Sequence, residues 1–123
     1  MTTWVAAHIA TFLYATGALT AGAIALAFFP ERVLAFLGQP PSKHLAVRQA
    51  GILIGVLGAG IVWAARDPAA HRAVIAMALA EKAGLVALVA LEAVRAKVSV
   101  RLAAVAAFDA ACVAVFAMYL VGS

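Results

Sequence analysis

The sequence predicts an all-α fold: a polytopic membrane protein built as a bundle of four transmembrane helices, with a short interfacial helix between the first two. Three observations point there. Of the 123 residues, 67% are hydrophobic and only 11% are charged, and the mean hydropathy is +1.11, which leaves too little polar surface for a water-soluble domain of this length. From Trp4 to Phe29 there is no Asp, Glu, Lys or Arg, a run longer than the roughly 20 apolar residues that cross a bilayer. Prolines and clustered charges then divide the remainder into three further apolar stretches. A soluble alanine-rich bundle would need a charged stripe on every helix, and the first stretch has none.

The first helix is expected from Trp4 to Phe29. It lacks a basic leader, and its apolar run exceeds the signal-peptide core of about 7–15 residues, so it reads as a retained helix. Pro30 stops it, because the proline ring cannot continue a helix interior yet suits the first turn of a new one. A short helix over Pro30 to Leu37 would carry Glu31 and Arg32 at its start and gather Val33, Leu34 and Leu37 on one side, with Gly38 as its C-cap. The alternative for this stretch is an ordinary connecting turn. Gln39-Pro40-Pro41 is a stiff break, after which Ser42 can cap a second helix from Lys43 to Ala65. In Arg66-Asp67-Pro68, Asp67 suits an N-cap and Pro68 a first helical position, placing the third helix from Pro68 to Val94. Ser99 can cap the fourth, from Val100 to Val121, and the whole chain forms one domain.

Four crossings put both termini and the Arg66-to-Arg72 loop on one side of the membrane. Arg32, Lys43, Arg48, Arg95, Lys97 and Arg101 fall on the other side, against only Arg66 and Arg72 on the first. The positive-inside rule then makes the basic side cytoplasmic and the termini non-cytoplasmic, which suits a bacterial inner membrane. This topology also accounts for the net charge of +4. The basic residues sit at helix ends rather than along one face, so no nucleic-acid partner is expected. Trp4, Trp63 and Tyr119 lie near the outer ends of their segments, where amphipathic rings favour the headgroup region.

The few polar groups inside the apolar segments are the candidate functional residues. Lys82 and Asp109 each fall near the middle of a segment. An unpaired charge at that depth costs at least roughly 2.5–3.5 kcal/mol, so the two are expected to face the bundle interior and contact each other. Such a pair either locks the third helix to the fourth or forms a proton- or substrate-linked site. Glu81 adjoins Lys82 but points roughly 100° away around the helix and aligns instead with Glu92, about three turns on. Glu92 is expected to pair with Arg48 at a similar depth. Glu81 has no evident partner beyond Lys82 or a first-helix hydroxyl such as Thr16 or Thr20, and is the leading candidate for functional titration.

Gly51, Gly55 and Gly58 recur at steps of three or four, one turn after Arg48, and form a small-residue face on the second helix. Its use is expected to be intramolecular packing, with a homodimer face as the alternative. His8 and His71 belong to the same side, but His71 looks interfacial, so neither haem nor metal ligation is expected. His44 lies on the opposite side. A Schiff base on Lys82 with Asp109 as counter-ion is a remote option, and no cofactor is expected. Cys112 is alone, which excludes an intramolecular disulfide and a cysteine cluster. No serine–histidine–acid set, phosphate loop or zinc-helix pattern occurs.

The series Phe29-Pro30-Glu31, Leu37-Gly38, Arg48-x-x-Gly51 with Gly55 and Gly58, and Ala64-Ala65-Arg66-Asp67-Pro68, followed by a lysine in the third helix and an aspartate in the fourth, resembles the small four-helix bacterial membrane proteins of the DoxX-like kind. The resemblance covers most of the chain and implies the same architecture. Some members are linked to oxidoreductase or quinone systems, but a redox cysteine pair is missing here. The leading expectation is a non-enzymatic bundle or membrane-complex component, partnered by the lipid bilayer and by copies of itself or a larger complex. One alternative is a small transporter or binder of a lipophilic or proton-coupled ligand, using Glu81, Lys82 and Asp109. Another is a membrane-embedded isomerase or cyclase in which Glu81 or Asp109 acts as general acid. An apolar pocket ending at these groups would favour a ligand, whereas close packing favours the structural role.

Overall fold

The computed structural model describes residues Thr2 to Gly122 and is all-helical. Its elements are α1 (Thr2–Ala21), a 3-10 turn at Gly22–Ile24, α2 (Ala25–Phe28), α3 (Pro30–Phe36), α4 (Leu45–Ala64), α5 (Arg72–Arg95) and α6 (Val100–Gly122). Four stretches are long and apolar enough to cross a membrane: Thr3–Phe28, Leu45–Ala64, Arg72–Arg95 and Val100–Gly122. The fold is therefore a bundle of four membrane-length helices, as composition and segmentation imply.

Several boundaries differ from the sequence expectation, each for a local reason. The first span is not one uniform helix, because a 3-10 turn at Gly22–Ile24 joins α1 to α2. Phe29 leaves helical geometry (φ −131°, ψ 55°) and Pro30 opens α3, where the missing proline N–H costs nothing. Gly38, at φ +69°, ends α3 as expected. Its N–H donates to the Ala35 carbonyl at 3.0 Å and the Gln39 N–H to the Leu34 carbonyl at 2.8 Å, the paired bonds of a Schellman cap.

Helix α4 begins at Leu45 rather than Lys43. Ser42 Oγ accepts the His44 N–H at 3.2 Å in a local turn, so its hydroxyl does not cap the helix. Helix α5 begins at Arg72 rather than Pro68. Asp67 does accept the Ala70 N–H, at 3.3 Å, but i→i+3 bonds such as His71 to Pro68, at 3.2 Å, close this stretch into a turn of its own. Only from His71 onward does i→i+4 bonding begin, with Ile75 N donating to the His71 carbonyl at 3.3 Å. Ser99 caps α6 as expected, accepting the Leu102 N–H at 3.2 Å.

Helices α1 and α4 form one close pair and α5 and α6 another, and the pairs meet through α1 against α6 and α4 against α5. The glycine face drives the first pairing. A Cβ built on Gly58 would stand 2.2 Å from the Ala21 nitrogen, and one on Gly51 2.7 Å from the Leu26 Cβ. Gly55 faces Ile24 at 3.1 Å, and Gly17 answers from α1 against Val62 at 2.8 Å. Backbone thus meets backbone, the geometry that lets helices associate where burial from water supplies no drive. The face is spent within the chain.

The apolar core lies toward the end of the bundle that holds the termini. It comprises Val5, Ile9 and Leu13 of α1, Ile61 of α4 with Ala65 after it, Ile75 and Ala78 of α5, and Cys112, Phe116 and Tyr119 of α6. Tyr119 corrects the aromatic-belt expectation: it is only 8% exposed and packs in the core, whereas Trp4 and Trp63 are more than half exposed. Arg66 lies over the Trp63 ring at 5.1 Å. The two ends are strapped by side chains to carbonyls. Arg72 Nη2 donates to Leu120 O at 2.7 Å, and at the far end Ser99 Oγ donates to Leu37 O at 2.5 Å while Arg101 Nη1 donates to Phe36 O at 3.1 Å.

Candidate polar site within the bundle

Lys82 and Asp109 occupy the inner edge of the apolar core. Both are buried, with side chains 4% and 7% exposed, and Lys82 Nζ lies 3.0 Å from Asp109 Oδ1. The same ammonium donates to Thr20 Oγ1 at 3.2 Å. Thr20 stands near the C-terminal end of α1, so one lysine gathers three helices. Thr20 takes this place because it falls one turn beyond Thr16 and two beyond Leu13 on the face of α1 that looks inward.

Glu81 completes the cluster from the side. Adjacent residues on a helix diverge by roughly 100°, yet the long side chains of Glu81 and Lys82 converge, bringing Glu81 Oε2 within 3.8 Å of Lys82 Nζ. That distance is an ion pair without a hydrogen bond. Oε2 is itself buried and has no hydrogen-bond partner among the described residues. One ammonium therefore faces two carboxyl groups, and only Asp109 takes one of its hydrogens. A second polar contact sits one turn away, where Thr16 Oγ1 lies 3.6 Å from Cys112 Sγ, both buried. Neither threonine reaches Glu81: Thr20 serves Lys82 and Thr16 serves Cys112.

The expected Arg48–Glu92 pair does not form. Arg48 Nε donates to the Ala27 carbonyl at 2.8 Å, where the break at Phe29 and Pro30 leaves helical carbonyls without an amide to accept from. Glu92 is exposed on α5 and takes part in no ion pair among the described residues. Sequence inspection missed this use of Arg48, although a proline-terminated helix end signals that an acceptor needs a donor.

His8 stacks on Trp4 at 4.5 Å between ring centroids and its Nδ1 lies 2.9 Å from the Trp4 carbonyl oxygen. His71 makes the same kind of contact with the Asp67 carbonyl, at 2.9 Å. Each imidazole thus serves its own turn. No group of three or more His, Cys, Asp or Glu comes together among the described residues.

Two surface grooves flank the end opposite the termini. One, of about 350 Å³, is lined by Phe28, Phe29, Pro30, Glu31, Arg32, Lys43 and Arg48. The other, of about 300 Å³, is lined by Gln39, Leu85, Leu88, Val89, Glu92 and Leu102. Neither is lined by Lys82 or Asp109, whose side chains are buried inside the bundle. Compared with known protein families, curated proteins and solved structures, the chain matches none.

Proposed function

We propose that this chain is a non-enzymatic integral membrane protein whose working part is the bundle itself, acting as a component of a homo-oligomer or a larger membrane complex. The observation that carries this reading is the Lys82 ammonium held at 3.0 Å by Asp109 and at 3.2 Å by Thr20, with both charged side chains buried among three helices. The chemistry of such a pair is that of a register pin: three helices satisfy each other's polar groups only in one alignment. The bilayer sharpens that choice, because a charge misaligned into acyl chains finds no substitute partner. The basic residues gathered at the end opposite the termini support an orientation with both termini on the non-cytoplasmic face, and a bacterial inner membrane fits that orientation. The resemblance to DoxX-like proteins agrees with this architecture and adds no activity.

A double-mutant cycle in detergent tests the pin. Lys82→Met leaves Asp109 and Glu81 buried without their cation and is expected to lower unfolding stability by about 3–5 kcal/mol. Adding Asp109→Leu is expected to restore most of that loss. Equal destabilisation in the single and double variants rejects the role.

A second reading, binding of a lipophilic ligand through Glu81, is favoured by its buried Oε2 without a hydrogen-bond donor. Native mass spectrometry of gently extracted protein separates the two. A stoichiometric small-molecule adduct lost in Glu81→Gln supports the ligand, whereas recovery as a protein assembly that survives Glu81→Gln supports the component role.

A further inference from the structure

The groove beside the break between α2 and α3 is strongly charged. Arg32, Lys43 and Arg48 line it against the single carboxylate of Glu31. That carboxylate is only partly engaged: Lys43 Nζ stands 3.9 Å away, with both side chains more than half exposed, an arrangement that contributes little in water. Arg48 is anchored through Nε to the Ala27 carbonyl, which fixes its guanidinium while its terminal nitrogens find no acceptor among the described residues. Arg32 forms no ion pair among the described residues, and its guanidinium lies 5.7 Å from the Phe29 ring centroid.

Depth within the membrane decides what such a groove meets. The first span ends at Phe28, so the groove sits where acyl chains give way to headgroups. Its rim supplies both chemistries, since Phe28 and Phe29 are 69% and 55% exposed beside the three cations. We infer that this groove is a binding site for an anionic glycerophospholipid, its phosphate held by Arg32, Lys43 and Arg48 and its acyl chains lying along Phe28 and Phe29. Arginine suits the role because its planar donor fork matches phosphate oxygens in pairs. Basic pockets among transmembrane helices recruit anionic headgroups by the same physics. A free phosphate ion shares the headgroup chemistry but gains nothing from the two phenylalanines.

The test is native mass spectrometry of the full chain, titrated with phosphatidylglycerol, with phosphatidylcholine and with inorganic phosphate. Wild type is expected to retain phosphatidylglycerol at least tenfold better than either alternative. Arg32→Gln combined with Lys43→Gln, which leaves the Arg48–Ala27 anchor intact, is expected to remove that preference. Lys97→Gln, a basic residue outside the groove, is expected to preserve it. The site is overturned if the two phospholipids bind equally, if the double variant keeps the preference, or if Lys97→Gln abolishes it as thoroughly. Retention of inorganic phosphate as strong as that of phosphatidylglycerol also overturns it, in favour of a simple anion site.

Discussion

At the scale of single residues, the polar groups inside this bundle are assigned by competition for donors and acceptors rather than by charge alone. Lys82 takes Asp109 and Thr20 as hydrogen-bond partners and keeps Glu81 at ion-pair distance. Thr20 therefore contributes to the same pin as the charges. Thr20→Val is expected to destabilise by about 1–3 kcal/mol, because a buried donor loses its acceptor. Chemical unfolding in detergent measures this, and an unchanged midpoint would show that the hydroxyl is dispensable. Arg48 follows the same logic, donating to the carbonyl of Ala27 instead of pairing with Glu92. Depth in the sequence pointed to Lys82 and Asp109, since a mid-span charge requires a partner. Lys82 was among the partners the sequence offered for Glu81, and it is the one the structure shows; those of Thr20 and Arg48 were not legible, because they depend on side-chain reach measured in ångströms between helices far apart in sequence.

At the scale of elements, glycine position sets which helices approach. Gly58 meets the backbone of Thr20 and Ala21, whereas Gly84 on α5 has nothing within 4 Å of a built Cβ. The two sites therefore predict opposite outcomes for the same substitution. Gly58→Ala is expected to force α1 and α4 apart and cost about 1–3 kcal/mol. Gly84→Ala is expected to be neutral or to stabilise by about 0.5–1 kcal/mol through helix propensity alone. Thermal denaturation of the two variants side by side checks both, and similar losses would mean that the glycine face is not selective. The turn between α3 and α4 gives a further case. Gly38 combines φ +69° with a Cβ position 2.7 Å from the Ser99 side chain, so Gly38→Ala is expected to be strained by backbone and neighbour alike. A melting temperature equal to that of wild type would contradict this. The glycine spacing on α4 was visible in the sequence. Its partner surface around Gly17 and Ala21 was harder to single out, because small residues recur throughout the first span.

At the scale of the whole molecule, the bundle is two helix pairs closed by an apolar core at one end and strapped by side chains at both. Buried apolar residues concentrate near the termini, while the opposite end carries the grooves and the greater share of the basic residues. That polarity predicts a measurable topology. Cys112 is buried, so single cysteines introduced at Lys43 and at Ala69 report on opposite faces without a competing thiol. An impermeant maleimide applied to intact cells is expected to label the Ala69→Cys variant and spare the Lys43→Cys variant. The reverse pattern would invert the orientation read from the basic residues.

Composition alone determined that the chain forms membrane-length helices, since acyl chains accept only segments that satisfy their own backbone and carry few charges. Sequence position alone likewise singled out the mid-span lysine and aspartate. Tertiary structure decided where the third helix starts, that Tyr119 belongs to the core, and that Arg48 closes a helix end instead of pairing with Glu92. Hydropathy is a property of segments and survives any rearrangement of them. Contacts are properties of pairs, fixed only when the glycine face has set how closely two backbones meet.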